Sequence, residues 1–513
     1  MSGIKKLAGQ TLWYGLSSIA ARFIGYLLTP LLTYSSHVRT ADFGRQSLLY
    51  SAIPVLSVLF TYGFETAYFR FSGKEENKKT IYSTSFLSIL GSTIIFSLIL
   101  WQYRGVLGSI VGFADIPQIA ELTIGIIAID TLCTIPFARL RQEERPVKYA
   151  FVRVAGILIN LLLVWFFVNY CPAQLEKDPN HWVGRIFDMN TNPIIYVAIA
   201  NLVQSILTFL LLGKEVSAVR FSFNARLWKE MIIYALPLLI VGFGGIVNET
   251  FDRLMLKAWL PGSADYRNEQ VGIYNACYKL SLLITLFVQA FRMGAEPFFF
   301  KQAEGQNPQR VYARVMKFFV LVVTLMFLVV ALFLPVWSRL IGPKYRVGLQ
   351  IVPILLLANI FLGVYYNLSI WFKLSHKTIA GAYITLIGTA ITLVVNYFFI
   401  PEYGYIASAL ATFFCYGSMM VISYYWGQKA YPVPYATKKL VAYGVIVVLL
   451  FLIHKLITHF FPNVYLSLSL GALLTAAYAW FVLQVEKKEF QKLPLIGRYL
   501  RPRVAQADLG NNR

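Results

Sequence analysis

Apolar stretches of about twenty residues or more recur along the whole chain, separated by short polar connections. Twenty residues of α-helix rise about 30 Å, which matches the hydrocarbon thickness of a bilayer. The pattern predicts an all-α integral membrane protein with about fourteen spans: 10–34, 43–64, 80–102, 117–138, 149–170, 193–213, 230–257, 270–297, 313–338, 347–372, 377–400, 403–427, 438–460 and 464–485. Ten-residue strands of alternating polarity, the mark of an outer-membrane barrel, are missing. The first stretch begins near Gln10 and shows no small-residue cleavage site, so it reads as an uncleaved span rather than a signal peptide.

The pattern also repeats. Gly156–Val168 (GILINLLLVWFFV) and Gly388–Ile400 (GTAITLVVNYFFI) share five of thirteen residues. Neighbouring segments align at nearly the same offset, 220 to 232 residues. Trp13-Tyr14-Gly15-Leu16 falls on Ile233-Tyr234-Ala235-Leu236. Asp42-Phe43-Gly44 with Tyr50 falls on Gln270-Val271-Gly272 with Tyr278, Asn77–Tyr82 on Asn307–Tyr312, and Asp130 on Asn359. Collinear matches imply a duplicated six-span bundle. An even span number per repeat makes the repeat parallel, with its pseudo-two-fold axis along the membrane normal. The domains expected are a six-helix lobe (1–213), a cytoplasmic amphipathic connector (214–229), a second six-helix lobe (230–428), two extra spans (429–485) and a basic cytoplasmic tail (486–513).

Composition sharpens this picture. The chain is 58% hydrophobic and only 14% charged, where a soluble protein carries about 25%. Its net charge of +22 is unevenly spread. Roughly thirty of the 46 Lys and Arg fall in the even-numbered loops and the two tails, and about eleven in the odd-numbered loops. This positive-inside bias places both termini in the cytoplasm and makes a nucleic-acid partner unexpected. Three of the four cysteines lie in spans, and Cys171 stands at the start of a loop; the spacing fits neither a disulfide nor a zinc site. Membrane lipids are the expected partners of the tail and of the connector, whose Phe221, Phe223, Leu227 and Trp228 alternate with basic residues. The outside loop Cys171–Asn192 reads as a cap or a gate.

No Walker A, HExxH, GxSxG or early DxD motif is present, so no enzymatic activity is expected. The informative residues are charges inside spans, each costing about 2.5–3.5 kcal/mol at the bilayer centre unless it faces protein or water. Arg22 lies about 18 Å deep in span one. It reads equally as a cavity cation for an anionic substrate group or as half of a buried pair with Asp130 on span four. The two roles are compatible if the pair opens during transport. Lys279, roughly 13 Å below the outer surface, reads as a second cavity cation, although its stem could snorkel. Arg292 reads as a cavity cation or, with Glu296 at i+4, as an interfacial pair. Span seven carries Glu249, Asp252, Arg253 and Lys257; Glu249, Arg253 and Lys257 form either a salt-bridge ladder or a gate, and Glu249 and Asp130 are candidate coupling acids. Pro237 and Gly242-Phe243-Gly244-Gly245 mark span seven as the helix most able to bend. The many tyrosines of the second half suit sugar contact or membrane-interface belts.

Several segments carry a resemblance. The opening Leu7–Pro30, Ala41-Asp42-Phe43-Gly44 entering span two, Gly63-Phe64-Glu65-Thr66-Ala67 leaving it, Pro237, and Gly294-Ala295-Glu296-Pro297 resemble the polysaccharide-exporter branch of the multidrug/oligosaccharidyl-lipid/polysaccharide exporter superfamily. The six-plus-six-plus-two layout resembles the superfamily over nearly the whole chain. The resemblance implies a flippase that moves an undecaprenyl-diphosphate-linked oligosaccharide to the outer leaflet of the bacterial cytoplasmic membrane by rocking two lobes around a cationic cavity. Lipid II flippases and cation-coupled multidrug antiporters are the rival readings. No cofactor is expected beyond a candidate coupling ion, Na⁺ or H⁺. Other polysaccharide-assembly proteins are candidate partners.

Overall fold

A computed structural model describes residues 24–72, 78–303, 306–375 and 377–491, and among these all regular structure is helical. Only helices and closed barrels satisfy every backbone group inside a bilayer, and the apolar stretches are of helix length. The long helices follow the predicted spans. They are labelled α1 (Leu28–Thr33, the described end of span one), α2 (Thr40–Thr61), α3 (Lys78–Gln102), α4 (Pro117–Gln142), α5 (Pro146–Trp165), α6 (Pro193–Leu211), α7 (Ala225–Trp259), α8 (Ala264–Gln302), α9 (Pro308–Ala331), α10 (Val352–Leu368), α11 (Thr378–Tyr403), α12 (Tyr405–Ala430), α13 (Thr437–Phe460) and α14 (Val464–Val485). Twelve stretches among the described residues are long and apolar enough to cross a membrane. Span one contributes only its apolar end, Ile24–Thr33. Proline opens α4, α5 and α6, where its missing N–H costs nothing. Asn192, Asn224 and Asn463 cap α6, α7 and α14 by accepting free backbone N–H groups.

The chain forms two compact units. One holds residues 1–312 and 337–433; the other holds 313–336 with 434–513. In the second unit most of α9 packs with α13 and α14. Phe327 meets Phe451, and the hydroxyls of Thr324 and Tyr478 share a hydrogen bond of 2.8 Å. At its polar end Glu486, 3% exposed, accepts from Lys317 (2.8 Å), Lys439 (2.7 Å) and Tyr443 (2.7 Å).

The first unit contains the first half of the repeat and, apart from most of α9, the second. Cys133, Phe137, Leu140, Tyr149 and Val152 fill the space between α4 and α5, and Ala358, Tyr365, Ile384, Cys415 and Met419 do so among α10, α11 and α12. Gly156 sits where an added Cβ would stand 2.9 Å from Thr208 of α6. Gly388, its partner in the repeat, would meet Met419 of α12 at 2.8 Å. The same glycine therefore does the same packing job in both halves.

One expectation is corrected here. Cys171 does not open a loop: a π-helical turn (166–170) carries α5 on into a helix at Cys171–Lys177, where Cys171 packs with Val183, Phe187 and Tyr196. The connector opens with a short helix, Gly213–Val216. Leu227 and Trp228 belong to the start of α7, which packs against Phe64, Tyr68, Ile81 and Phe86 of the first lobe; Phe221 before it is 92% exposed. α7 is helical throughout 225–259, across position 237. The tail beyond residue 491 lies outside the described residues.

Candidate functional site

Successive helices of the first unit alternate in direction. The connections at 34–39, 103–116, 171–192, 260–263 and 403–404 therefore share one end, and those at 62–72, 143–145, 212–224 and 375–377 the other. They are called here the outer and inner ends, after the charge bias.

At the outer end the halves touch closely. α2 and α8 cross with Gly44 against Gly272, the two glycines the repeat makes equivalent. A Cβ on Gly44 would stand 1.7 Å from the Asn268 carbonyl oxygen, and one on Gly272 would stand 2.5 Å from that of Thr40. Only glycine permits such an approach. Around this crossing Arg45 bonds Asp115 at 2.8 Å and reaches Asp265 of the second lobe at 3.4 Å. Lys257 Nζ donates to the carbonyls of Ser109 (2.9 Å) and Ile110 (3.2 Å), which end a short first-lobe helix. The Gly342 N–H donates to Thr33 at 3.0 Å, and Arg346 to the Tyr34 hydroxyl at 3.0 Å.

Below the crossing lies a cavity of about 450 Å³ in the seam between the lobes. Tyr26, just before α1, lines one side with Gln46 and Tyr50 of α2; α5 and α6 add Asn160, Asn201 and Gln204. α7 and α8 face them with Glu249, Arg253, Asn275, Tyr278, Lys279 and Gln289. Tyr50 and Tyr278, equivalent in the repeat, thus look into the same space. The Tyr50 hydroxyl accepts from Asn201 at 2.8 Å. Amide and hydroxyl side chains buried in spans are costly unless bonded, and here they turn to a shared polar space.

The predicted residues separate into groups. Lys279 is in the cavity, its Nζ 5.5 Å from the ring centre of Tyr26, and forms no ion pair among the described residues. Glu249 is also there, likewise without an ion pair among the described residues. Arg253 is buried. It donates to Asp252 (3.0 Å), to Asn275 (3.2 Å) and to the Glu249 carbonyl (3.1 Å), and lies over the Tyr278 ring at 4.4 Å. Asp252 also accepts from the Tyr274 hydroxyl. Glu249, Arg253 and Lys257 therefore form no ladder: Arg253 turns to Asp252 and Lys257 to helix-end carbonyls. Arg292 stands apart from the central cavity, over the Tyr366 ring at 4.7 Å. Asp130 does not line the cavity; among the described residues the cation whose field reaches it is Arg153 of α5. Arg22 and the side chains of Pro237 and Glu296 lie outside the described residues.

Sequence reasoning about charge missed most of the lining. Gln46, Tyr50, Asn160, Asn201, Gln204, Asn275 and Gln289 are uncharged. Their signal is helix spacing within spans: Gln46 with Tyr50 at i,i+4 and Asn201 with Gln204 at i,i+3.

Two helical lobes in contact at one end, with a polar cavity in the seam, make up the fold of a multi-pass membrane protein. Family models agree. Residues 186–303 match the model described as polysaccharide biosynthesis protein, and residues 263–398 match MatE. No curated protein matches by sequence. Among solved structures, the lipid II flippase MurJ in an inward closed conformation is 12% identical, with TM-score 0.66 over 92% of this chain and 98% of that one. A multidrug resistance MATE family transporter in an inward-facing conformation is 14% identical, with TM-score 0.60 over 85% and 95%. The MATE transporter VcmN of Vibrio cholerae is 13% identical, with TM-score 0.57 over 84% and 98%. The chain thus shares its fold with MurJ and the MATE transporters, and its middle third is similar to the polysaccharide biosynthesis and MatE families.

Proposed function

We propose that this transporter flips an undecaprenyl-diphosphate-linked oligosaccharide from the inner to the outer leaflet of the bacterial cytoplasmic membrane. One observation carries the reading: the seam cavity combines an ammonium group with no counter-ion among the described residues, Lys279, with a wall of amides and tyrosines. A diphosphate needs the first, since charge-assisted bonds are the strong ones in a low-dielectric site. A sugar needs the second, because its hydroxyls both donate and accept. Lys279 holds the diphosphate, with Arg22 as the expected second cation from span one. Gln46, Asn201, Asn275 and the paired tyrosines hold the glycan, while the lipid tail stays in the bilayer. The polysaccharide family match supports this cargo. The outer-end contacts open, and the lobes rock, to release the glycan outside.

A strain lacking the gene, complemented with Lys279→Ala or Arg22→Ala at normal membrane levels, should make markedly less surface polysaccharide. Wild-type output from both variants would refute the assignment. Glu249 in the cavity favours a second reading, a Na⁺- or H⁺-coupled drug antiporter. That reading would replace the first if the deletion strain kept its polysaccharide and became sensitive to cationic dyes.

A further inference from the structure

A second recess, of about 560 Å³, opens at the inner end of the first lobe, and the transport reading does not use it. Tyr68 and Tyr82, both buried, line it together with Gln142 and Glu143 of α4, Lys78 and Lys79 of α3, Arg139, and the connector residues Ser217–Arg220. The tyrosine hydroxyls already have partners: Tyr68 bonds Gln142, and Tyr82 donates to the Glu215 carbonyl at 2.8 Å. The acid is also engaged. Glu143 accepts from Arg139 at 2.6 Å, and Arg139 stacks on Tyr82 at 4.6 Å. Lys78, Lys79 and Arg220 remain, with no acid within ion-pair distance among the described residues. Among the described residues, four cations thus face one carboxylate around a recess. A positive-inside bias accounts for cations at this depth, but their convergence on one recess is an added electrostatic cost unless an anion enters. The amino end of α3, a 25-residue helix, adds its partial positive charge to the same wall.

We propose that this recess binds a phosphate group presented at the inner surface, either the phosphodiester of an anionic lipid headgroup or a soluble polyphosphate. Lys78, Lys79 and Arg220 supply the charge, and Arg139 is held ready by Tyr82 and Glu143. The position gives the ligand a structural effect. One wall belongs to α3 and α4, the other to the connector that leads into α7, tied at present by the Arg220 N–H to Ser83 (3.0 Å) and the Asn224 N–H to Thr84 (3.2 Å). A phosphate bridging the walls would fasten the connector to the first lobe.

The test uses the purified full-length chain in a neutral detergent, its melting temperature read with a thiol-reactive dye, since the four cysteines are buried and free until unfolding. One arm adds inorganic pyrophosphate at constant ionic strength. The other compares micelles doped with dioleoylphosphatidylglycerol against dioleoylphosphatidylcholine. A rise of about 3 °C is expected at a ligand concentration roughly 100-fold above Kd. A rise with pyrophosphate alone assigns a soluble ligand, and a rise with phosphatidylglycerol alone assigns a lipid. The variant Lys78→Gln/Lys79→Gln/Arg220→Gln should melt within about 1 °C of the wild type without ligand and lose most of the rise. If it fails to fold, Lys79→Gln alone should lower the rise. No rise with either ligand, or an equal rise in the variants, overturns the proposal.

Discussion

At the residue scale, two cations of the same cavity have opposite jobs. Lys279 forms no ion pair among the described residues and is available to a ligand, whereas Arg253 is spent on Asp252, Asn275 and a carbonyl. Replacing Lys279 by Gln should leave the melting temperature nearly unchanged and weaken binding of a diphosphate-bearing ligand. A lost charge-assisted bond costs about 1.5–3 kcal/mol, roughly a ten- to hundredfold drop in affinity, measurable by titration in detergent. Arg253→Gln should instead lower stability by about 3–5 kcal/mol, because it strands the buried Asp252. Adding Asp252→Asn should recover part of that loss, a coupling read from a double-mutant cycle. Equal behaviour of the two cations would refute the division. The sequence placed all of these charges in spans but could not divide them. Which cation finds an acid depends on a one-residue step along α7 and on Asn275 and Tyr274 of α8, contacts that only packing decides.

At the element scale the controlling feature is the crossing of α2 and α8. Gly44→Ala puts a methyl group into the Asn268 carbonyl, so the outer end must spread; overpacking of this kind costs about 1–3 kcal/mol. Export should fall while the chain still inserts, and cross-linking across the outer end should decline. Gly91→Ala on α3 is the control. An added Cβ there meets nothing within 4 Å, and alanine favours helix by about 1 kcal/mol, so export should be unchanged. Parity of the two variants would remove the crossing from the mechanism. The repeat alignment had already paired Gly44 with Gly272 and Tyr50 with Tyr278. It could not show that the glycines touch or that the tyrosines share a cavity, because equivalence in sequence says nothing about distance from the symmetry axis.

At the scale of the molecule, the all-helical, multi-span architecture was legible because bilayer thickness acts on composition alone. Connections were less legible: α5 runs on past Tyr170 because buried contacts at Val183 and Phe187 compensate for the polar surroundings. Orientation can be checked chemically. With the native thiols buried, a cysteine at Asn190 should react with an impermeant maleimide in intact cells, and one at Phe221 only after permeabilisation. The reverse pattern would invert the molecule. In the second unit, burial raises the Glu486 carboxyl, but hydrogen bonds from Lys317, Lys439 and Tyr443 outweigh it and hold the group below its usual 4.5. A depressed acid stabilises the fold above its unfolded pKa and loses that contribution as pH falls through the folded one. Melting temperature should therefore drop below pH 4.5 in the wild type, and Glu486→Gln should flatten that dependence.

The contact of Gly44 with Gly272 also bears on how such a chain could arise. A crossing between equivalent positions is what a half-length protein makes with a second copy of itself, an isologous dimer. The tie between the lobes then predates the fusion of the two copies. The backbone between α6 and α7 need not hold the lobes together, and two separately synthesised fragments divided after Val216 should find one another in the membrane.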